Sequence, residues 1–412
     1  MGVAEQADAR GGARFVDVSD PELYRADAWQ VPFRRLRQEE PVHFFETSLH
    51  GPYWAITKHA DIMEIELNDA VFSSASEWGG IQIQDDGDIA RRKNLIRMDR
   101  PEHTGHRRTV APIVAPTNLA NMTDLIRQRT EAVLDGLPRG ETINWVDHVS
   151  IPLTTMMLAT LFGFPFDERE KLTYWSDVGI CDVNAPDAPV TSEDERRAVL
   201  ADMAARFREL FDERAARAPS FDLISMLAHS DVTRNMDAET FMGTVMVLII
   251  GGNDTTRNSM TGGVHALHDY PEQDRLLRSD PDLVRNMVSE TIRWQTPLQH
   301  MRRTAREDIE FRGKTIRKGD KVVMWYISGN FDEEAFEDPD SFNIARPNAR
   351  RHLSFGAGIH RCVGDRLAEL QLRILWEEIL KRGLRISVEG PPERIYSANI
   401  RAFRSLPVRI TV

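Results

Sequence analysis

Cysteine is scarce: Cys181 and Cys362 are the only two in 412 residues. Two thiols cannot build a disulfide framework, so a reducing cytoplasm is the expected setting. No apolar run approaches the ~18 residues of a membrane-spanning helix. The first twenty residues are small and charged, without the apolar centre of a secretory signal. Neither a membrane anchor nor export is expected. An excess of positive charge is missing too. The 52 Lys and Arg are outnumbered by 64 Asp and Glu, for a net charge of -12, which argues against nucleic acid as a general partner. No repeat, low-complexity tract or linker divides the chain. Ordinary core is plentiful: 41% hydrophobic and 28% charged residues suit a globular protein with a large interior. The expected organisation is a flexible segment over residues 1–20 and one domain over 21–412.

One of the two cysteines sits in an unusual place. The stretch His352-Leu-Ser-Phe-Gly-Ala-Gly-Ile-His-Arg-Cys-Val-Gly364 ends a glycine-punctuated loop, and a strongly helical run from Asp365 to Trp376 follows. Gly356, Gly358 and Gly364 permit turns and close approach that side chains would block. A helix starting just after Cys362 aims unpaired N–H groups at the sulfur and is expected to help hold it as thiolate.

Upstream, Pro21 to Glu40 reads as an amphipathic helix. Val42–Phe45 and Tyr53–Thr57 read as strands joined by a turn. From Ser73 to Arg97 periodicity is lost, although Ile81 and Ile83 are apolar; a loop of this length is expected to form a wall of a binding site. Next, Pro101 opens a helix that sets His103 and Arg107 one turn apart, able to grip a carboxylate together. Helical patterning then dominates from Asn118 to Arg217. Between Phe241 and Tyr270 a helix apolar on all sides turns abruptly to Gly251-Gly-Asn-Asp-Thr-Thr256. Glycines there weaken the helix by about 1 kcal/mol each, which points to a need for space or a local opening. Asp254 and Thr255 put a carboxylate and a hydroxyl where buried polar groups are costly. Glu290 and Arg293 form an i, i+3 pair, and Met301–Ala305 and Val322–Tyr326 read as strands.

The pattern Phe355-x-x-Gly358-x-His360-x-Cys362 resembles the haem-binding loop of the cytochrome P450 superfamily, whose thiolate ligation is a standard illustration of how an axial ligand tunes haem. Four further stretches resemble that superfamily in the same order: His103-x-x-x-Arg107, Gly251 to Thr256, Glu290-x-x-Arg293, and Phe336-x-x-Pro339-x-x-Phe342-x-x-x-Arg346. The likeness runs from about residue 40 to the end and is to the bacterial soluble members. It implies a mainly α fold with small β-sheets, a helical prism around a buried haem b. It implies Cys362 as the iron ligand, with His103, Arg107 and Arg303 on the propionates and His360 also binding the cofactor. Phe355, Gly356, Gly364 and Gly251 would shape the haem's surroundings. Asp254 and Thr255 would relay protons to bound O2, and Glu290, Arg293 and Arg346 would form a structural cluster.

Within the superfamily, residues 251–263, 301–305 and 368–378 look most like the alkane and fatty-acid terminal hydroxylases. A sterol side-chain or terpenoid hydroxylase is the alternative, and a non-catalytic haem sensor or carrier is the reading from another class. Electrons are expected from a separate ferredoxin with its reductase. Candidate walls for a hydrophobic substrate are Ile81, Ile83, Leu248, Leu298 and Phe403.

Overall fold

A computed structural model describes residues 15–85, 92–186 and 188–411. Its longest element is the helix Ala238–Asp269, referred to below as the central helix. Asp237 caps it, accepting the Thr240 N–H at 2.8 Å, and satisfies one of the unpaired donors of the first turn. Val245, Met246 and Ile249 bury themselves in one hydrophobic cluster, while Met260, Val264, Ala266 and Leu267 enter a second. The polar stretch 251–259 thus lies between two cores. Helix Asp365–Lys381 straddles the same two, with Leu367 and Ile374 in the first and Leu372, Leu375, Trp376 and Ile379 in the second. Each such fully buried aliphatic side chain contributes roughly 1.5–3 kcal/mol. These anchors fix both helices that flank the glycine-rich loop.

The main sheet has five strands: β1 (Val42–Phe45), β2 (Tyr53–Ile56), β3 (Phe72–Ser73), β4 (Met301–Ala305) and β5 (Lys321–Met324). Their spatial order is β1-β2-β5-β4-β3. β2 and β5 run parallel, with Trp54 opposite Val322, and the other pairs are antiparallel. β4 therefore lies inside the sheet. Its alternation sends Arg303 to one face and Arg302 to the other. A second, three-stranded sheet pairs Thr142–Asn144 and Arg385–Val388 with Pro407–Thr411.

Several expectations change. The helix expected over Pro21–Glu40 is two helices, Pro21–Arg25 and Gln30–Glu39, broken where Asp27 takes φ 50° and accepts the Trp29 indole N–H at 2.9 Å. Residues 1–14 lie outside the described residues, but 15–20 are not a loose tail. Phe15 and Val18 are buried with Trp29, Phe33 and Trp325, and Tyr53 donates to Asp17 at 2.8 Å. Thr142–Asn144 is a strand inside the stretch read as helical, because its partner lies at the far end of the chain. The described part of 73–97 holds short turns at Ser76–Trp78 and Leu95–Arg97; residues 86–91 lie outside the described residues.

Candidate active site

Between the central helix and the cysteine loop is a cavity with about 1500 Å³ of empty space, part of it open to solvent. Cys362 lines one part of it, and Gly251, Gly252, Thr255, Thr256 and Ser259 of the central helix line another. The loop that carries Cys362 is shaped by close approach. Gly358 has φ 62°, and a Cβ there would stand 2.3 Å from the Glu66 carbonyl oxygen; only glycine fits. The Cys362 N–H donates to the Phe355 carbonyl at 2.8 Å, closing the loop.

The helix that follows favours the thiolate through the Gly364 N–H. Burial pushes the Cys362 thiol up to about 11, against the Gly364 N–H and Arg107, which lower it. The helix terminus by itself does not outweigh burial.

Around the cavity the donors of an anion site converge. His103 and His360 meet edge to face, with ring centroids 4.4 Å apart. His360 Nε2 shares a hydrogen bond with the Ser74 hydroxyl at 2.8 Å, leaving His360 Nδ1 and His103 Nε2 as buried atoms without a partner among the described residues. Burial, reinforced by nearby arginines, holds His103 down to about 4 and His360 to about 2, so both rings are neutral. Arg107 and Arg303 reach the same cavity. Arg107 has no carboxylate partner among the described residues, whereas the Arg303 Nη2 donates to Glu66 at 2.8 Å. Orphaned buried nitrogens and guanidinium groups beside a free thiol fit an iron porphyrin with its two carboxylate arms.

The Glu290 cluster is assembled at full burial. Arg293 binds Glu290 through two bonds of 2.8 Å, and Arg346 Nε reaches both Glu290 oxygens at 3.1 Å. Their remaining N–H groups donate to the carbonyls of Asn330, Pro339, Asp338 and Ser341. These bonds tie the helix Val284–Gln295 to the segment that leads into the cysteine loop.

The Thr255 hydroxyl donates to the Gly251 carbonyl at 3.2 Å, and a Cβ on Gly251 would meet nothing within 4 Å. The central helix stays continuous here; its glycines make room beside the helix rather than breaking it. Asp254 does not line the cavity but points to the opposite side of the helix, where it accepts from Ser176 at 2.6 Å and from Arg257. Arg257 also donates to Asp177 at 2.8 Å. Burial pushes the Asp254 carboxyl up to about 6, although Arg257 lowers it.

Of the candidate walls, Ile81, Leu248 and Leu298 line the cavity. Ile83 and Phe403 do not. Ile83 is buried with Phe15, Val18 and Trp325. Phe403 packs under the Arg394 guanidinium, 3.8 Å from its ring centre, and donates its N–H to Asn258. Sequence reasoning missed Glu66, Tyr326, Leu95, Ile96, Val247 and Met301, all on the cavity. Helical spacing could have found Val247, which stands one turn before Gly251 and two before Thr255. Strand alternation could have found Met301, on the Arg303 face of β4.

The cytochrome P450 family model matches residues 190–394. A linalool 8-monooxygenase of Pseudomonas putida is 36% identical over 95% of this chain and 98% of its own. This chain belongs to the cytochrome P450 family. It is a haem b monooxygenase by that membership, not a sensor or carrier. The methyl-branched lipid omega-hydroxylase of Mycobacterium tuberculosis is 32% identical over 95% of each chain. Among solved structures, CYP153D17 from Sphingomonas sp. PAMC 26605 superposes with a TM-score of 0.90 at 47% identity, covering 96% of this P450 and 99% of that chain. No helix among the described residues is long and apolar enough to cross a membrane.

Proposed function

We propose that this P450 hydroxylates the terminal carbon of a medium-chain alkane or fatty acid, with electrons from a ferredoxin. The observation that carries the reading is the chemistry of the wall. Ile81, Leu95, Ile96, Val247, Leu248 and Leu298 present aliphatic carbon, while the charged lining residues are Arg107 and Arg303 of the anion-binding group and Glu66, which pairs with Arg303. A hydrocarbon chain meets hydrocarbon along this wall. The lipid omega-hydroxylase among the relatives supports attack at a chain end.

Cys362 would hold the iron, and His103, Arg107, Arg303 and His360 would hold the propionates. When bound, the haem supplies the activation of O2 that no side chain here can perform. The protein's own part is to exclude water and aim the substrate. A terminal C–H bond is stronger than an inner one, so selectivity for the end requires walls that hide the inner carbons. The Thr255 hydroxyl lines the cavity, and must give up its bond to the Gly251 carbonyl before it can pass a proton there. Asp254 stands behind it as an ionisable carboxyl, and must exchange its bond with Arg257 or Ser176 before it can pass a proton on.

The relative named for linalool favours a second reading, hydroxylation of a terpenoid. Titrating the haem-loaded protein with n-alkanes, fatty acids, terpenoids and sterols, with the spin state followed optically, separates the two. Linear chains are expected to shift the spin state and to yield mainly terminal alcohol. A response to terpenoids or sterols without one to linear chains overturns the first reading.

A further inference from the structure

Among the described residues the cavity lining carries one carboxylate, Glu66. It stands near the end of the helix His59–Leu67 and turns inward: Glu66, Arg303 and Tyr326 are each at most 4% exposed. One Glu66 oxygen accepts from Arg303 Nη2 at 2.8 Å, and the other accepts from the Tyr326 hydroxyl. Arg303 Nη1 donates to the Arg302 carbonyl at 2.8 Å. The carboxylate also lies against the cysteine loop, since a Cβ on Gly356 would stand 3.5 Å from Glu66 Oε1. An ion pair and a hydroxyl donor thus hold a negative charge where water cannot solvate it.

That charge upsets the balance of the anion site. His103 and His360 are neutral, so Arg107 and Arg303 are the cations available to the two carboxylate arms of a porphyrin. Arg107 has no carboxylate partner among the described residues, but Arg303 already serves Glu66. Two guanidinium groups therefore meet three carboxylates.

We propose that Glu66, acting through Arg303, is a positioning residue that sets the reduction potential of the haem, by leaving one negative charge uncompensated beside it. Reduction adds an electron, and a buried negative charge nearby opposes it. Over roughly ten ångströms of protein a unit charge changes such an equilibrium about tenfold. Tyr326 acts with Glu66, because its hydroxyl bond favours the ionised carboxyl. The inference rests on Arg303 serving a haem carboxylate, as proposed above, and adds a residue that opposes it.

The test uses the haem-loaded full chain without substrate. Titration with dithionite beside a redox dye gives the equilibrium constant for one-electron reduction, and transfer to excess apomyoglobin gives the rate of haem loss. Glu66→Gln, which keeps the shape and removes the charge, is expected to raise the constant about tenfold, or about 59 mV, without faster haem loss. Glu66→Asp, which keeps the charge, is expected to stay nearer the native value. Tyr326→Phe is expected to raise the constant by less, and to add nothing to Glu66→Gln, because both act on one charge. A constant within twofold of native in Glu66→Gln overturns the proposal, as does a shift in Glu66→Asp as large as in Glu66→Gln. Should Glu66→Gln hold haem poorly, Tyr326→Phe decides: a rise supports the proposal and an unchanged constant overturns it. The reading beneath it fails separately, if Arg303→Gln loses haem no faster than the native chain.

Discussion

At the scale of single residues, the site depends on which side of an element each group faces. Thr255 and Asp254 are neighbours in sequence, yet the helix turns one to the cavity and the other to Ser176 and Arg257. Their contributions should separate accordingly. Thr255→Ala is expected to load haem and bind substrate as the native protein does, since the lost hydroxyl bonds only to Gly251 within its own helix. What it should lose is coupling: electrons are consumed at a comparable rate while product falls about a hundredfold and peroxide rises, the lower end of what general acid–base groups supply. Unchanged product per electron would remove Thr255 from proton delivery. Glu66 shows the same dependence on facing. A buried carboxylate between Arg303 and the Tyr326 hydroxyl competes with a propionate for one guanidinium, and nothing in its local sequence, Ile65-Glu66-Leu67, announces that.

At the scale of elements, the Glu290 cluster joins a helix to a loop by charge-assisted bonds with almost no exposure to water. Arg346→Leu should destabilise the fold by about 3–5 kcal/mol, because it leaves part of the Glu290 charge unpaired and strands several carbonyls. Arg346→Lys keeps the charge but cannot span Glu290 and the carbonyls of Asp338 and Ser341 together. Both variants should lose haem at lower urea than the native chain, with Lys intermediate; haem retention equal to native in Arg346→Leu would show that the cluster does not support the loop. Local signals make much of this legible: the glycine loop, the all-round apolar run of the central helix, and β4, whose bounds match the expectation. They fail where a residue's role is set by a distant partner. Arg302 has no reading from sequence because its acceptors lie about 220 positions away. Ile81 and Ile83 share spacing and chemistry, yet bends between them send one to the cavity and one to the N-terminal core. Phe403 suits a wall by its chemistry alone, and the Arg394 and Asn258 that claim it belong to other elements.

At the scale of the whole molecule, the acidic balance is not evenly spread. A groove beside helix Asp365–Lys381 is lined by Arg285, Arg350, Arg366 and Arg373 against Asp282 and Glu369, with Leu119 and Leu370 between them. It lies on the cysteine side, since that helix begins three residues after Cys362. An acidic ferredoxin would find here a positive field on a molecule of net charge -12. The arginines are unequal, however. Arg361 pairs with Asp365 at 3.0 Å, Arg373 with Glu377 at 3.4 Å and Arg350 with Glu369 at 3.7 Å, and each such pair cancels much of its own field at a distance. Arg346 is buried in its cluster. Arg351 and Arg366 have no carboxylate partner among the described residues, so they should matter most. Reversing them singly to Glu is expected to lower the low-salt rate of ferredoxin-supported reduction about tenfold, and Arg350→Glu less. The difference should close as ionic strength rises, because docking charges are screened beyond about 10 Å at 0.1 M salt. Haem content should stay native throughout, since none of the three touches the cavity. If both exposed reversals leave the low-salt rate unchanged, the electron donor docks on another face.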